Sequence, residues 1–391
     1  MFNIKLQDNI KLFYITTFLR AGNFWVPVWI ALYNQILTKE QIGYFWAINF
    51  LVVGILEIPT GIIADIIGRK YACAIGAFIM TIAFLVIGIY PTLMGILIYS
   101  ILSGIGEAFI TGTRSVLLYD TMKQLGRENE YAKVQTYGLV IFEGLMAVFT
   151  IFGGWIYSLG FERAPFLLRS LFWGLSIPLF MAMVEPRFSS TKQTFSNFNR
   201  ILKKSVEDIT KNRKIIKISL LYIFTFGIST AVVRFLMQPI LVDIGFIDSF
   251  DRSIISAALK LWIATMAYFI ARRYKNSLPN FYILVIPLIM AIIYIPFKYL
   301  ALPWTLLLLF PLAIPGNSRD VFLSPFVKKE LVPDYRATSM SILNSLGTII
   351  FGLVNLLYGF SANSIQYIFI LGILSLILLI PLAVNIFKRE I

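Results

Sequence analysis

Twelve predominantly apolar stretches follow one another along this 391-residue chain, each about long enough to span a bilayer as a helix. They cover 10–34, 40–66, 71–90, 92–124, 130–157, 162–184, 214–243, 252–274, 278–297, 301–329, 334–361 and 364–387. In hydrocarbon the backbone must satisfy its own polar groups, and a single run of about 20 residues does so as an α-helix. The expected fold class is an all-α membrane protein with twelve transmembrane helices. Some turns, such as Tyr90-Pro91-Thr92, are so short that the helices they join must be antiparallel neighbours. Composition agrees: 58% of residues are hydrophobic and 14% charged, against about 45–50% and about 25% in soluble domains. That argues against a water-soluble enzyme, a nucleic-acid binder and a disordered chain together. The net charge of +14 then reads as basic loops on the cytoplasmic side of a membrane.

The placement of Lys and Arg sets the orientation. Lys5 and Lys11 precede or open span 1, Arg69 and Lys70 sit between spans 2 and 3, and Lys123, Arg127 and Lys133 between spans 4 and 5. Further groups follow at 187–217, at Arg272, Arg273 and Lys275, at Lys328, Lys329 and Arg336, and at Lys388 and Arg389. The opposite side has only Lys39, Arg163, Arg252 and Lys298. Both termini are therefore expected in the cytoplasm, in a multi-pass protein of the cell (inner) membrane. The first apolar run is too long for a signal peptide and lacks a small-residue cleavage site, so it reads as span 1. The long polar stretch 185–213 divides the chain into a bundle of six helices at 1–184 and a second at 214–391. This linker reads as a solvated tether with a short surface helix at 201–209; a lipid-binding regulatory segment is the alternative.

The two halves carry a faint repeat. Gly112-Thr113-Arg114 precedes Glu130-Tyr131-Ala132-Lys133 in the first, and Gly316-Asn317-Ser318-Arg319 precedes Asp334-Tyr335-Arg336-Ala337 in the second. Parallel repeats of six helices are a device of secondary transporters. The chain has no histidine and a single cysteine, Cys73, so it has no internal disulfide and no histidine metal ligand. Any proton chemistry falls on carboxylates. No phosphate-binding loop of the Walker type is present, and neither a metal nor a cofactor is expected.

Span 2 ends in Gly61-Ile62-Ile63-Ala64-Asp65-Ile66-Ile67-Gly68-Arg69-Lys70. A Gly, an Asp four residues on, then Gly-Arg-Lys between helices 2 and 3 resembles the signature of the major facilitator superfamily. Ile66 stands where the family often has a basic residue. No Arg occurs in 99–104, early in helix 4, and Phe149-Thr150 rather than Gly-Pro precedes Gly153-Gly154. The resemblance implies two six-helix bundles related by a pseudo-two-fold axis along the membrane normal. It also implies a gating loop of Gly61, Asp65, Gly68, Arg69 and Lys70, with Asp120 at the end of helix 4 pairing with Arg69. Physically, Gly61 is expected to allow close helix contact, Gly68 a tight turn, and Asp65 to seek a cation or a helix N-terminus.

Ten charged residues fall inside spans, where they are costly and usually functional. They are Arg20, Glu57, Glu107, Arg114, Glu143, Arg169, Arg234, Lys260, Arg319 and Asp320. In the family, helices 1, 4, 7 and 10 line the central cavity. Here those helices hold Arg20, Glu107, Arg114, Arg234, Arg319 and Asp320. At about 1.5 Å per residue, Arg20 and Glu57 come to the same depth, as do Arg114 and Glu143, so these pairs are expected. Glu107 has no obvious local partner. Arg169, in an outer helix, reads as a snorkelling anchor. Trp25, with Trp29, reads either as a substrate-stacking ring or as part of an interfacial aromatic belt.

The expected function is secondary active transport by alternating access: proton-coupled export of a small amphipathic or organic-anion solute. Proton-coupled uptake is the alternative, and a polytopic membrane enzyme the outside class. Glu107 and Glu143 are the proton-coupling candidates. Arg20, Arg114, Arg234, Arg319, Asp320 and Trp25 are the substrate-cavity candidates, because Arg presents a forked donor set suited to anions. No residue is expected to be catalytic. The partners are a small-molecule substrate, protons and the lipid bilayer, with no nucleic acid, and the chain is expected to be a monomer.

Overall fold

The computed structural model describes residues 5–186, 195–211, 213–273, 282–299, 304–312, 327, 330–332, 336–361 and 363–390. Among them the secondary structure is helical, with no strand. The helices are α1 Asp8–Ala21, α2 Trp29–Asn34, α3 Lys39–Ile67, α4 Arg69–Ile89, α5 Leu93–Gln124, α6 Tyr131–Ser158, α7 Ala164–Ala182 and α8 Phe195–Thr210. They continue with α9 Arg213–Thr230, α10 Met237–Asp243, α11 Ser249–Arg273, α12 Tyr282–Tyr294, α13 Trp304–Leu312, α14 Arg336–Gly359, α15 Ser364–Leu374 and α16 Ile380–Glu390. Among the described residues, seven helical stretches are long and apolar enough to cross a membrane. The helix starts follow local chemistry. Thr92 accepts from the Gly95 amide at 3.2 Å, Asp248 from the Phe250 amide at 2.6 Å, and Asn363 from the Gln366 amide at 2.8 Å. Each is a short polar side chain satisfying an orphan N–H.

Two elements depart from the expected spans. Span 1 is not one helix: α1 ends at Ala21, and Gly22–Val28 separates it from α2. The seventh span bulges into a π-turn at Ala231–Leu236 between α9 and α10, and that turn carries Arg234. Irregular backbone at membrane depth is tolerated where protein or a cavity satisfies it, and π-turns concentrate at functional sites. The surface helix expected at 201–209 is longer, Phe195–Thr210. Much of span 10 lies outside the described residues.

The chain divides into two compact units. One comprises Met1–Thr38, Ile55–Phe198 and Asp248–Ala264; the other comprises Lys39–Gly54, Asn199–Ile247 and Thr265–Ile391. Helices α3 and α11 each give one part to either unit. In the first, α4 packs on both α5 and α7, and the Ser170 hydroxyl donates to the Thr81 carbonyl at 2.8 Å. Aromatic rings fill the space around the helix-1 break: Phe18, Phe24, Phe149 and Phe172 meet one another within 6.2 Å. In the second, α9 packs on α14, where the Tyr222 hydroxyl donates to Asn344 Oδ1 at 2.8 Å.

Candidate functional site

Polar side chains gather in the first unit at two levels. The first is the helix end that carries the 2–3 turn. Gly68 adopts φ +102°, a left-handed conformation open to glycine, and α4 begins at the next residue. The Arg69 guanidinium reaches Asp65 at 3.3 Å through Nη2 and contacts Asp120 Oδ2 through Nη1. The structure thus brings together Asp65, Arg69 and Asp120. It adds two residues that sequence reasoning missed. Glu185, just past α7, accepts the Arg69 amide at 2.8 Å and the Lys70 amide at 3.0 Å. A carboxylate there satisfies two orphan donors and complements the positive end of α4. Asn9, the second residue of α1, donates to Thr121 Oγ1 at 3.0 Å and to the Val184 carbonyl at 2.8 Å, and accepts the Val184 amide at 2.8 Å. Five helix ends are therefore tied in one network. Lys70 turns its ammonium toward the Met181 carbonyl at 3.4 Å and the Tyr71 ring at 4.9 Å. Gly61 does not make the close contact expected of it: an added Cβ would meet nothing within 4 Å. The signal for Glu185 was visible only as a carboxylate opening the linker.

The second level is the interior. Arg114 does not pair with Glu143. Its Nη2 donates to the Phe13 carbonyl at 3.0 Å and to the Thr17 hydroxyl, and its guanidinium lies 3.9 Å from the Phe13 ring centre. Equal depth brought Arg114 to α1 instead of α6, because α1 also packs on α5. Glu143 is buried and faces Lys260 of α11, with Nζ to Oε2 at 3.7 Å. The Arg20 guanidinium sits over the Phe142 ring at 5.7 Å.

Arg169 is not a snorkelling anchor. It is 5% exposed, its Nη1 donates to the Leu19 and Arg20 carbonyls at 3.2 and 2.9 Å, and Trp173 stacks 4.7 Å away. Those carbonyls close α1, so the guanidinium caps the broken helix. Arg252 holds the other side of the break. Assigned by sequence to an outer turn, it is buried and donates to the Pro27 carbonyl at 3.1 Å and to the Ser249 hydroxyl at 2.8 Å. On α6, Gly153 lies against the break, where an added Cβ would come 1.8 Å from the Phe24 carbonyl oxygen. Trp25 donates to Asn23 Oδ1 at 3.3 Å and packs among Phe84, Tyr99 and Phe166. It is a bundle residue rather than a member of an interfacial belt.

Glu107, half-buried on α5, makes no hydrogen bond or ion pair with a described residue. It is within electrostatic range of Arg169 and Tyr99, a cation that sequence reasoning had pointed outward. The side chain of Arg234 and all of Arg319 and Asp320 lie outside the described residues. Among the described residues no cluster of acids, Cys or His is arranged to hold a metal.

Comparison with known proteins is consistent across the chain. The sequence is 33% identical to the uncharacterized MFS-type transporter MJ1560 of Methanocaldococcus jannaschii over 111 residues, 27% of this chain and 28% of that one. It is 23% identical to the uncharacterized MFS-type transporter YxaM of Bacillus subtilis over 95% of this chain and 94% of that one. The fold is similar to a bacterial homolog of the human lysosomal transporter Spinster, solved inward-facing and unoccupied. There the TM-score is 0.71 at 16% identity, covering 98% of this chain and 96% of that one. The family profile of the Major Facilitator Superfamily matches residues 12–354. With helices long enough to cross a bilayer, the 2–3 turn network and this match, the chain is a multi-pass membrane transporter belonging to the Major Facilitator Superfamily.

Proposed function

We propose that the protein exports a small amphipathic organic anion in exchange for protons, by alternating access, with both termini and the linker in the cytoplasm of the cell membrane. The observation that carries this reading is Glu107, an acid deep in α5 with no hydrogen bond or ion pair among the described residues. A carboxylate so placed is free to change partner and protonation as water reaches it from one side or the other. The cations around it favour an anionic substrate. Arg20 lies within electrostatic range of both Arg114 and Arg169, so the interior of this unit is rich in positive charge. Opposite the site, the Asp65–Arg69–Asp120–Glu185 network acts as the latch that closes the cytoplasmic end. Arg234, Arg319 and Asp320 remain substrate-contact candidates from the sequence alone.

The test uses inside-out membrane vesicles and naphthalene-2-sulfonate, an amphipathic anion that stays ionised and does not cross lipid as a neutral acid. An acid lumen should drive its accumulation. Glu107→Gln keeps shape and hydrogen bonding but not titration; it should abolish accumulation driven by the gradient and leave exchange between equal pools intact. Uphill transport surviving in Glu107→Gln with unchanged pH dependence would remove Glu107 as the carrier. Accumulation driven by an alkaline lumen would replace export by uptake.

A further inference from the structure

We infer that Lys260 is an anion-binding residue of the transport site, and that the Glu143 carboxylate is the internal competitor that occupies it when no substrate is present. The inference rests on the anion reading above and extends it to a residue and a substrate group, a carboxylate, sulfonate or phosphate.

Glu143 lies near the middle of α6, a helix of 28 residues, and Lys260 near the middle of α11, a helix of 25. Their side chains are 8% and 18% exposed. Two opposite charges at that depth ordinarily close to hydrogen-bond distance, because each loses its hydration and has only the other to replace it. Here they do not. Nζ and Oε2 are 3.7 Å apart, and Oε2 has no hydrogen-bond partner. An N–H···O bond of a charged pair is about 2.7–2.9 Å. The Lys260 ammonium has three donors, and no described residue accepts a hydrogen bond from any of them. A half-buried ammonium with no hydrogen-bond acceptor among the described residues favours an acceptor from outside the chain.

The pair is a loose counter-charge, not a structural lock. Glu143 keeps Lys260 from being an isolated buried cation, which would cost several kcal/mol, without saturating it. An arriving anion completes the ammonium's hydrogen bonds and displaces the carboxylate. The Arg20 guanidinium covers the ring of the preceding residue Phe142 at 5.7 Å, so a second cation lies on the same stretch of α6. Arg114 and Arg169 differ in that each already donates to a carbonyl of α1.

Binding of radiolabelled naphthalene-2-sulfonate to the full chain in lipid nanodiscs tests the competition. Glu143→Gln removes the competing charge at constant shape and should tighten binding at least about fivefold. Lys260→Gln should weaken it at least about tenfold, Lys260→Arg should retain it, and Glu143→Gln should have no effect once Lys260→Gln is present. Each variant is compared at matched elution volume and melting temperature, so a folding defect is seen as such. Wild-type affinity in Lys260→Gln, or no tightening in Glu143→Gln, would overturn the inference. Failure here leaves proton-driven export in the vesicle assay untouched. Loss of that export with the Lys260 pattern intact would overturn the coupling reading and keep the site.

Discussion

Replacing Arg169 by Met should destabilise the protein by about 2–4 kcal/mol, and the figure follows from the bonds at the helix-1 break. The Arg20 carbonyl accepts from Arg169 Nη1 at 2.9 Å and, at the longer distance of 3.4 Å, from Asn23 Nδ2. Leaving such a buried acceptor unpaired costs about 1–3 kcal/mol. The Leu19 carbonyl keeps the Gly22 amide at 3.1 Å, so its loss is about 1 kcal/mol. Stacking on Trp173 adds about 1 kcal/mol. Against these, Arg169 Nε has no partner, and removing that buried donor returns about 1 kcal/mol. For a unit of about 200 residues the net is a fall in melting temperature of about 4–16 °C, measurable by thermal unfolding in detergent. Arg169→Lys should fall between, since an ammonium keeps one carbonyl but not the planar stack. A melting temperature for Arg169→Met within 2 °C of wild type, or for Arg169→Lys equal to it, would refute the capping argument and favour a side chain that merely snorkels.

Three further outcomes are expected. Asp65→Asn, and Glu185→Ala with it, should lower turnover several-fold more than they weaken substrate binding, because both loosen the 2–3 turn and neither touches the interior; equal losses in rate and affinity would contradict the latch. Gly153→Ala should destabilise by about 1–3 kcal/mol, since the new methyl would sit 1.8 Å from the Phe24 carbonyl oxygen, whereas Gly144→Ala, with nothing within 4 Å, should be neutral or slightly stabilising; thermal melts of the pair compare them. Asn197→Cys in a Cys73→Ala background should resist an impermeant thiol reagent in intact cells and react in opened membranes, and labelling of intact cells would invert the proposed topology.

Helix positions were the most legible part of the chain. The expected span 40–66 emerges as Lys39–Ile67, 92–124 as Leu93–Gln124, and 130–157 as Tyr131–Ser158. Bilayer thickness and backbone hydrogen bonding are local demands, and each stretch answers them alone. The Asp65–Arg69 contact was legible for the same reason, because residues four apart on a helix end are neighbours. Partner choice between helices was legible for Arg69 and Asp120 through the family resemblance, but not in the interior. Depth along an axis placed Arg114 level with Glu143, but depth carries no information on azimuth. Packing turned Arg114 to Phe13 and Thr17 and gave Glu143 to Lys260. The same limit hid Glu185, whose partners are backbone amides of residues 115 and 116 positions earlier. It also hid Arg169 and Arg252, whose roles exist only because α1 stops at Ala21 and leaves carbonyls that two other helices satisfy. The sequence by itself determined that this chain crosses a membrane as helices and carries the turn of its superfamily. Which interior charge meets which, as for Arg114, Glu143 and Arg169, was decided by tertiary structure alone, because that depends on how each helix is rotated against its neighbours.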